Sequence, residues 1–354
     1  ARGNNNKLNQ LLYRLKNIKI FDPACGSGNF LIIAYKELRR LEMEIFKEMG
    51  SLALSEISLN QFYGIELDDF AHEIAILALW LTKHQMNVEF FKEFGRNNPT
   101  LPLTDAGNIV QGNACRLDWE EVCPKNENDE IYILGNPPYL GSSMQSDVQK
   151  NELKFVCGSF SNFKNLDYIS IWFYLASKYC SNYNVKFAFV STNSICQGEH
   201  VSLLWPNLFL FDIEIFFAQK SFKWSNSAKG KAVVTVVVIG IQNKSNKRKK
   251  IFTDSSVKFV DRISPYLTYG KNNIVYRRST TLSDLPKMVY GNKPTDNGFL
   301  FLSESEFDEF RNEYPNYLKF IKKLVGSNEI INGIVRYCIW IEDSEVKEAT
   351  KCLF

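Results

Sequence analysis

The sequence predicts an α/β fold, a mostly parallel sheet with helices on both faces, followed by the opening of a second domain. Three observations predict it. Apolar runs that read as buried strands alternate with helical stripes through the first half of the chain. The first of those strands, Ile18 to Phe21, runs into Gly26 and Gly28 and then a helix, the kind of turn at which a nucleotide-binding sheet meets its ligand. A later buried run ends in Gly135-Asn136-Pro137-Pro138-Tyr139, a corner that two successive prolines stiffen.

The bounds agree with such a fold. At 354 residues and 45 % hydrophobic content the chain can bury a sizeable core, and at about 150 residues per domain it suggests two. A net charge of +3 does not by itself announce a nucleic-acid binder, so any contact of that kind would have to come from local patches. The eight cysteines include no CxxC pair and follow no secretory leader, which predicts reduced thiols in a cytoplasm. No apolar run reaches the roughly 18 residues of a membrane span. The chain opens on Ala1 and stops at Phe354 soon after an apolar stretch, as a trimmed piece of a longer protein would.

Leu8, Leu11, Leu12 and Leu15 predict a short lead-in helix. In Asp22-Pro23-Ala24-Cys25-Gly26-Ser27-Gly28-Asn29-Phe30 the glycines let the backbone pass close to a ligand before Asn29 opens a helix that runs to about Met49. A dinucleotide fingerprint wants a third glycine where Leu31 stands, and a P-loop wants Gly-Lys-Ser/Thr, so neither NAD nor ATP is expected. Gln61 to Glu66 reads as the second strand. An acid at its end can accept from ribose hydroxyls, which makes Glu66 the candidate, although the long helix and an inserted segment around 51–58 set it further from the glycines than the roughly 20 residues of the dinucleotide pattern.

Asp69 is expected to cap the next helix, with Ala71, Ile74, Ala75, Leu77, Ala78 and Leu81 packed on the sheet. His72 and His84 on that helix, with only His200 elsewhere, suggest no metal-ligand cluster. A polar loop, 124–130, precedes the strand that ends at Gly135. The run from Gly141 to Gly158 reads as a mobile polar loop, and Tyr168, Ile171, Trp172, Leu175 and Tyr179 as a core stripe. Val185 to Ser191, Phe211 to Phe217 and Ala232 to Ile239 read as strands, the last β-branched enough to be central. The loop from Gln219 to Asn226 places Phe222 and Trp224 among Lys220 and Lys223. Five cations between Lys244 and Lys250 read as a solvated linker. Past Leu282 come the turn residues Gly291 to Gly298, then a predicted helix from Glu304 to Leu324.

The chemistry lies in the proline corner. An exocyclic amine is a poor nucleophile because its lone pair is delocalised into the ring. The Asn136 side-chain oxygen and the Pro137 carbonyl are two acceptors that could take both amine hydrogens, Pro138 helps preorganise them, and Tyr139 offers a face for a base to stack on.

Together DPACGSGNF and NPPY resemble the DNA amino-methyltransferases that act on adenine N6. Their order resembles the gamma arrangement, and among those enzymes the single-chain restriction-modification enzymes (type IIG/IIL) that fuse nuclease, methyltransferase and target-recognition domains. The resemblance implies a class I S-adenosylmethionine-dependent methyltransferase with a Rossmann-like seven-strand sheet over 18–245, after the lead-in 1–17. A linker over 246–286 and the N-terminal part of a target-recognition domain over 287–354 would follow. It implies S-adenosylmethionine as cofactor, held by Asp22, Pro23, Ala24, Cys25, Gly26, Gly28, Asn29, Phe30, Glu66, Asn113 and Ala114, with no metal for the transfer. At Asn113 the family commonly has an acid, but an amide can accept from the adenine amine and donate to a ring nitrogen. No Thr-Pro pair of the kind the family often carries precedes the glycine turn. The partner implied is double-stranded DNA, with Phe222 or Trp224 covering the flipped base and Lys220 and Lys223 meeting phosphates. Protein-glutamine methylation, N4-cytosine methylation and a catalytically silent DNA-binding fragment are the alternatives. Glu345-Val346-Lys347 lacks the strand a nuclease site needs, and Cys123-Pro124 is not the setting of a cytosine-C5 thiolate.

Overall fold

The structure is a computed structural model in which residues 4–50, 54–96, 107–224, 234–278, 283–284, 296 and 298–350 are described. The chain divides into two compact units, Ala1–Arg277 and Arg278–Phe354.

In the first unit the lead-in helix α1 (Asn5–Leu15) precedes strand β1 (Ile18–Asp22) and helix α2 (Asn29–Met49). Then come β2 (Phe62–Glu66), α3 (Asp69–Phe94), β3 (Asn108–Gln111), the short α4 (Trp119–Val122) and β4 (Glu130–Gly135). Helices α5 (Asp147–Cys157) and α6 (Ser170–Cys180) lead to β5 (Val185–Thr192), and α7 (Gly198–Phe209) to β6 (Ile213–Trp224) and β7 (Val234–Asn243). The strands β8 (Lys249–Phe252) and β9 (Val257–Val260) complete the sheet, whose order is β3-β2-β1-β4-β5-β7-β6-β8-β9.

The expected seven strands are thus present and two more extend the edge. β1 to β5 are parallel, β7 is antiparallel to β5, and β6 is antiparallel to β7, so β6 runs in the direction of β1 and β4. Period-2 alternation sends side chains to two cores. Ile18, Ile20 and Phe62 join the core that holds residues of α1, α2 and α3, whereas Phe21, Ile65, Ile131 and Ile133 join the core that holds residues of α4 to α7.

Several expectations are corrected. The α3 cap is Asp68, whose extended backbone lets its carboxylate accept from Ala71 N–H, so Asp69 is already helical. Leu77 and Leu81 lie 45 % and 44 % exposed, because the buried stripe runs through Ala75, Leu79, Thr82 and Met86. Asp69, His72 and Glu73 bring three potential ligand atoms within 4.8 Å of one another, a grouping that the count of three histidines did not suggest. The span 141–158 is not a loop throughout. It contains α5, opened by a capping box between Ser146 and Gln149 and anchored by buried Leu153 and Cys157.

The cationic run is not simply a solvated linker. Lys249 is 3 % exposed, donates to Ser245 O at 2.6 Å and pairs with Glu214 at 2.9 Å, which draws β8 into the sheet beside β6.

In the second unit β10 (Phe301–Ser303), β12 (Arg336–Ile339) and β11 (Ile321–Leu324) form a separate antiparallel sheet. Its helix α8 spans Glu304–Glu313 and does not reach Leu324, because Pro315 disfavours the helical region at Tyr314. The turn 291–298 falls largely outside the described residues, Asp296 and Gly298 excepted.

Candidate active site

The glycine turn is tied to the ends of β2 and β3. Gly28 takes φ +81°, which strains any other residue, and a Cβ there would also press on helix α3, 3.3 Å from Ala75 Cβ. Cys25 N–H donates to Ile65 O at 3.0 Å, and Gly26 N–H donates to Glu66 Oε2 at 2.7 Å. Glu66 also accepts from Asp68 N–H through Oε1, and its backbone carbonyl accepts from Gly112 N–H. The acid proposed for ribose therefore already braces the turn, with lone pairs remaining on a half-buried carboxylate.

Cys25 contributes backbone rather than sulfur. Its side chain lies in the core, where burial pushes the thiol pKa up. Asn29 is exposed and Phe30 half-buried at the start of α2, while Pro23 is buried.

The two corners meet. β1 and β4 are hydrogen-bonded neighbours, with Phe21 opposite Ile133, so Asp22 and Gly135 end adjacent strands at the same edge of the sheet. This is also where the strand order reverses direction, the position at which open α/β sheets bind ligands. A Cβ on Gly135 would fall 2.5 Å from Asp22 Oδ1. Asp22 is 1 % exposed; Oδ1 accepts from Ala24 N–H at 3.0 Å and Oδ2 has no partner. Burial lifts this carboxyl to about 7, and the charge of Glu66 adds to the effect.

Beyond Gly135, Asn136 Oδ1 is buried and also without a hydrogen-bond partner. Pro137 is buried, Pro138 exposed, and Tyr139 half-buried against the core that holds residues of α4 to α7. An orphaned buried acceptor costs free energy to maintain, and this one is left open to a donor from outside the chain.

Asn113 stands differently from the expectation. Its Oδ1 accepts from Cys115 N–H at 2.8 Å, and its Nδ2 donates to Glu152 Oε1 at 2.5 Å, so both ends of the amide are already engaged. Glu152, 6 % exposed on α5, also accepts from the Tyr168 hydroxyl. Ala114 is buried, and its carbonyl accepts from Trp119 Nε1–H.

Lys220, Phe222, Lys223 and Trp224 belong to strand β6 rather than to a loop, and Ser225 and Asn226 fall outside the described residues. Past a register shift between Gln219 and Phe222, this end pairs with β7 through Trp224 opposite Val234. Because β6 runs with β1 and β4, it ends at the sheet edge that carries both corners. Lys220 and Lys223 are exposed there and Phe222 is half-buried. A hollow of about 760 Å³ lined by Ile213, Glu214, Lys244, Lys249 and Arg262 lies at the opposite strand ends, and none of its lining atoms is an orphaned buried polar group.

Comparison with known proteins gives this edge its context. Residues 1–253 match the family described as MmeI, DNA-methyltransferase domain, and residues 269–353 match MmeI, target recognition domain. The chain belongs to the MmeI family. It is 49 % identical to DNA methyltransferase A of Bacillus subtilis (strain 168), over 97 % of this chain and 40 % of that protein. It is also similar, at 26 % identity over 39 % of this chain and 16 % of the other, to the type II restriction enzyme and methyltransferase RM.Eco57I of Escherichia coli. The solved structure of the type IIL restriction-modification enzyme MmeI in complex with DNA superposes with a TM-score of 0.91 at 39 % identity, covering 99 % of this chain and 48 % of MmeI. The chain thus spans about two fifths of the length of DNA methyltransferase A and about half of that of MmeI.

Within this MmeI-family domain Glu152 and Asp167 carry no expectation from the sequence, Trp172 is expected only as core, and His200 only as a histidine outside any metal cluster. Trp172 Nε1–H donates to Pro23 O at 3.2 Å, and Asp167 Oδ1 accepts from Leu140 N–H at 2.9 Å. A local signal existed only for Glu152, inside a segment whose capping box marks it as helical. The bonds that tie the others to distant segments span 27 to 149 positions, so no spacing rule points to them.

Proposed function

We propose that this chain carries the modification activity of a restriction-modification enzyme, moving a methyl group from S-adenosylmethionine to N6 of an adenine flipped out of double-stranded DNA. One observation carries the reading: the buried Asn136 Oδ1, without a partner, follows directly on the strand end that abuts the glycine turn. The donor side fits a cationic cofactor, since the buried Asp22 Oδ2 also lacks a partner.

Asp22, Glu66 and the backbone from Ala24 to Gly28 would hold the cofactor, with Asn113 and Ala114 flanking its base. Bound there, S-adenosylmethionine supplies an electrophilic methyl group. Asn136 Oδ1 and the Pro137 carbonyl accept the amine hydrogens, which directs the nitrogen lone pair out of the ring. Tyr139 stacks on the base and Phe222 or Trp224 covers its other face. Lys220 and Lys223 contact phosphates. Asn rather than Ser before the prolines favours adenine over N4-cytosine, and the name of the DNA-bound relative favours DNA over a protein substrate.

The test is incubation of the full-length protein with labelled S-adenosylmethionine and either duplex DNA or a protein extract. Label should enter DNA as N6-methyladenine. Asn136→Ala should lower transfer by roughly a hundredfold or more while cofactor binding is kept. Label in protein, or in N4-methylcytosine, would overturn the assignment.

A further inference from the structure

One six-residue segment, Asp167-Tyr168-Ile169-Ser170-Ile171-Trp172, is hydrogen-bonded beside both corners and to Glu152. At its start the 5 % exposed Asp167 accepts through Oδ1 from Leu140 N–H at 2.9 Å and from Ile169 N–H at 3.2 Å. Tyr168 N–H returns a bond to Leu140 O at 3.0 Å, so the residue that follows the proline corner is held on both its donor and its acceptor. At the far end Trp172, also 5 % exposed, donates from its indole to Pro23 O in the glycine turn. Between them the Tyr168 hydroxyl donates to Glu152, which receives Asn113 Nδ2–H, and the Tyr168 and Trp172 rings meet edge-on at 5.3 Å.

The need for such a tie follows from the chemistry of the corner. Pro137 and Pro138 have no N–H and so cannot donate a backbone hydrogen bond that would hold the corner. Leu140 follows them, its N–H held by Asp167 and its carbonyl accepting from Tyr168 N–H and from Gln145 Nε2–H at 3.0 Å. Asp167 is in turn seated from behind, its own N–H donating to His200 Nε2 at 2.8 Å.

We infer that Asp167 is a positioning residue for methyl transfer, and that the segment it opens is a strut setting the distance between the donor and acceptor corners. The inference rests on the proposed reaction at those corners. Asp167 meets neither cofactor nor base. It acts through Leu140 on the Pro137 carbonyl and the Tyr139 ring, while Trp172 carries the same reference to Pro23. Losing the Asp167 acceptor should therefore slow transfer without loosening the cofactor.

The experiment uses the full-length protein, wild type beside Asp167→Ala, Asp167→Asn and Trp172→Phe, with two independent readouts. Amide hydrogen exchange over residues 136–145 should rise in Asp167→Ala and stay near wild type in Asp167→Asn, whose side-chain oxygen can still accept. In Trp172→Phe the rise should fall on the glycine turn instead. Single-turnover transfer to duplex DNA should drop about a hundredfold in Asp167→Ala, with Kd for S-adenosylmethionine within threefold of wild type, and recover in Asp167→Asn. Unchanged exchange in Asp167→Ala, undiminished transfer despite faster exchange, or cofactor affinity falling in step with rate would each overturn the inference. If Asp167→Ala does not fold, Trp172→Phe decides through its shifted exchange pattern. A wild-type protein that transfers nothing to DNA would instead refute the reaction, leaving the exchange measurement to judge the strut.

Discussion

Gly135→Ala probes the contact on which the cleft depends. A methyl group on Gly135 would stand 2.5 Å from Asp22 Oδ1 and 3.1 Å from Cγ. Asp22 has little room to yield: it is buried, Oδ1 is held by Ala24 N–H, and β1 is hydrogen-bonded to β2 on one side and β4 on the other. The strand end must move instead, at a cost of about 1–3 kcal/mol in an interior that is already close-packed. The displaced residue directly precedes Asn136, so transfer should slow by up to roughly a hundredfold. Urea unfolding reads the first effect and single-turnover transfer the second. Asp22→Ser makes room for the methyl, so a double-mutant cycle with Gly135→Ala should show coupling of about 1–2 kcal/mol. A Gly135→Ala protein as stable and as fast as wild type, with no coupling to position 22, would refute the adjacency of the two corners.

Burial that lifts Asp22 to about 7 means the folded protein keeps a proton which the unfolded chain, titrating near 4, has already released. Stability should fall as pH rises from about 4 to 7 and level off above, and Asp22→Asn should flatten that slope in a series of unfolding midpoints. A cationic cofactor favours the ionised form, so calorimetry should find affinity for S-adenosylmethionine increasing from pH 6 to 8 in wild type and constant in Asp22→Asn. Lys249→Met should destabilise the protein by about 1–3 kcal/mol, because the partly buried Glu214 loses its counter-charge and keeps only the hydrogen bonds from Gln242 and Ser245; a solvated linker would show no change in denaturant midpoint. Lys220→Glu with Lys223→Glu should weaken DNA binding about equally across sequences and reduce the salt slope by about 1 for each phosphate no longer neutralised, and an unchanged slope would remove them from the interface.

From the residues alone come seven strands of the large sheet, the two corners and their order in the chain, but not the strands β8 to β12. Each of those signals is local: an apolar run buried on two faces, glycines where the backbone needs positive φ, prolines where it must not flex. The β1–α2 unit lies within a residue or two of the expected place, since Gly28 caps a helix whose apolar stripe continues unbroken to Met49. Where the reading slipped, a short-range cue competed with a long-range partner. Lys249 looks like one more solvated cation until Glu214, 35 positions earlier, is found beneath it. Lys220 to Trp224 look like a loop because bulged, amphipathic strand ends carry the same composition as turns.

Local chemistry by itself determined which residues could accept an amine and which backbone could turn beside a cofactor, because those capacities belong to the side chain and the peptide unit. Only the tertiary structure decided that Asp22 abuts Gly135, that the Asn113 amide is held by Glu152, and that Leu140 hangs from Asp167. Those are pairings between segments far apart in the chain. Their partners are chosen by strand order and by which face of the sheet each helix covers, and neither is encoded in the spacing of any one stretch.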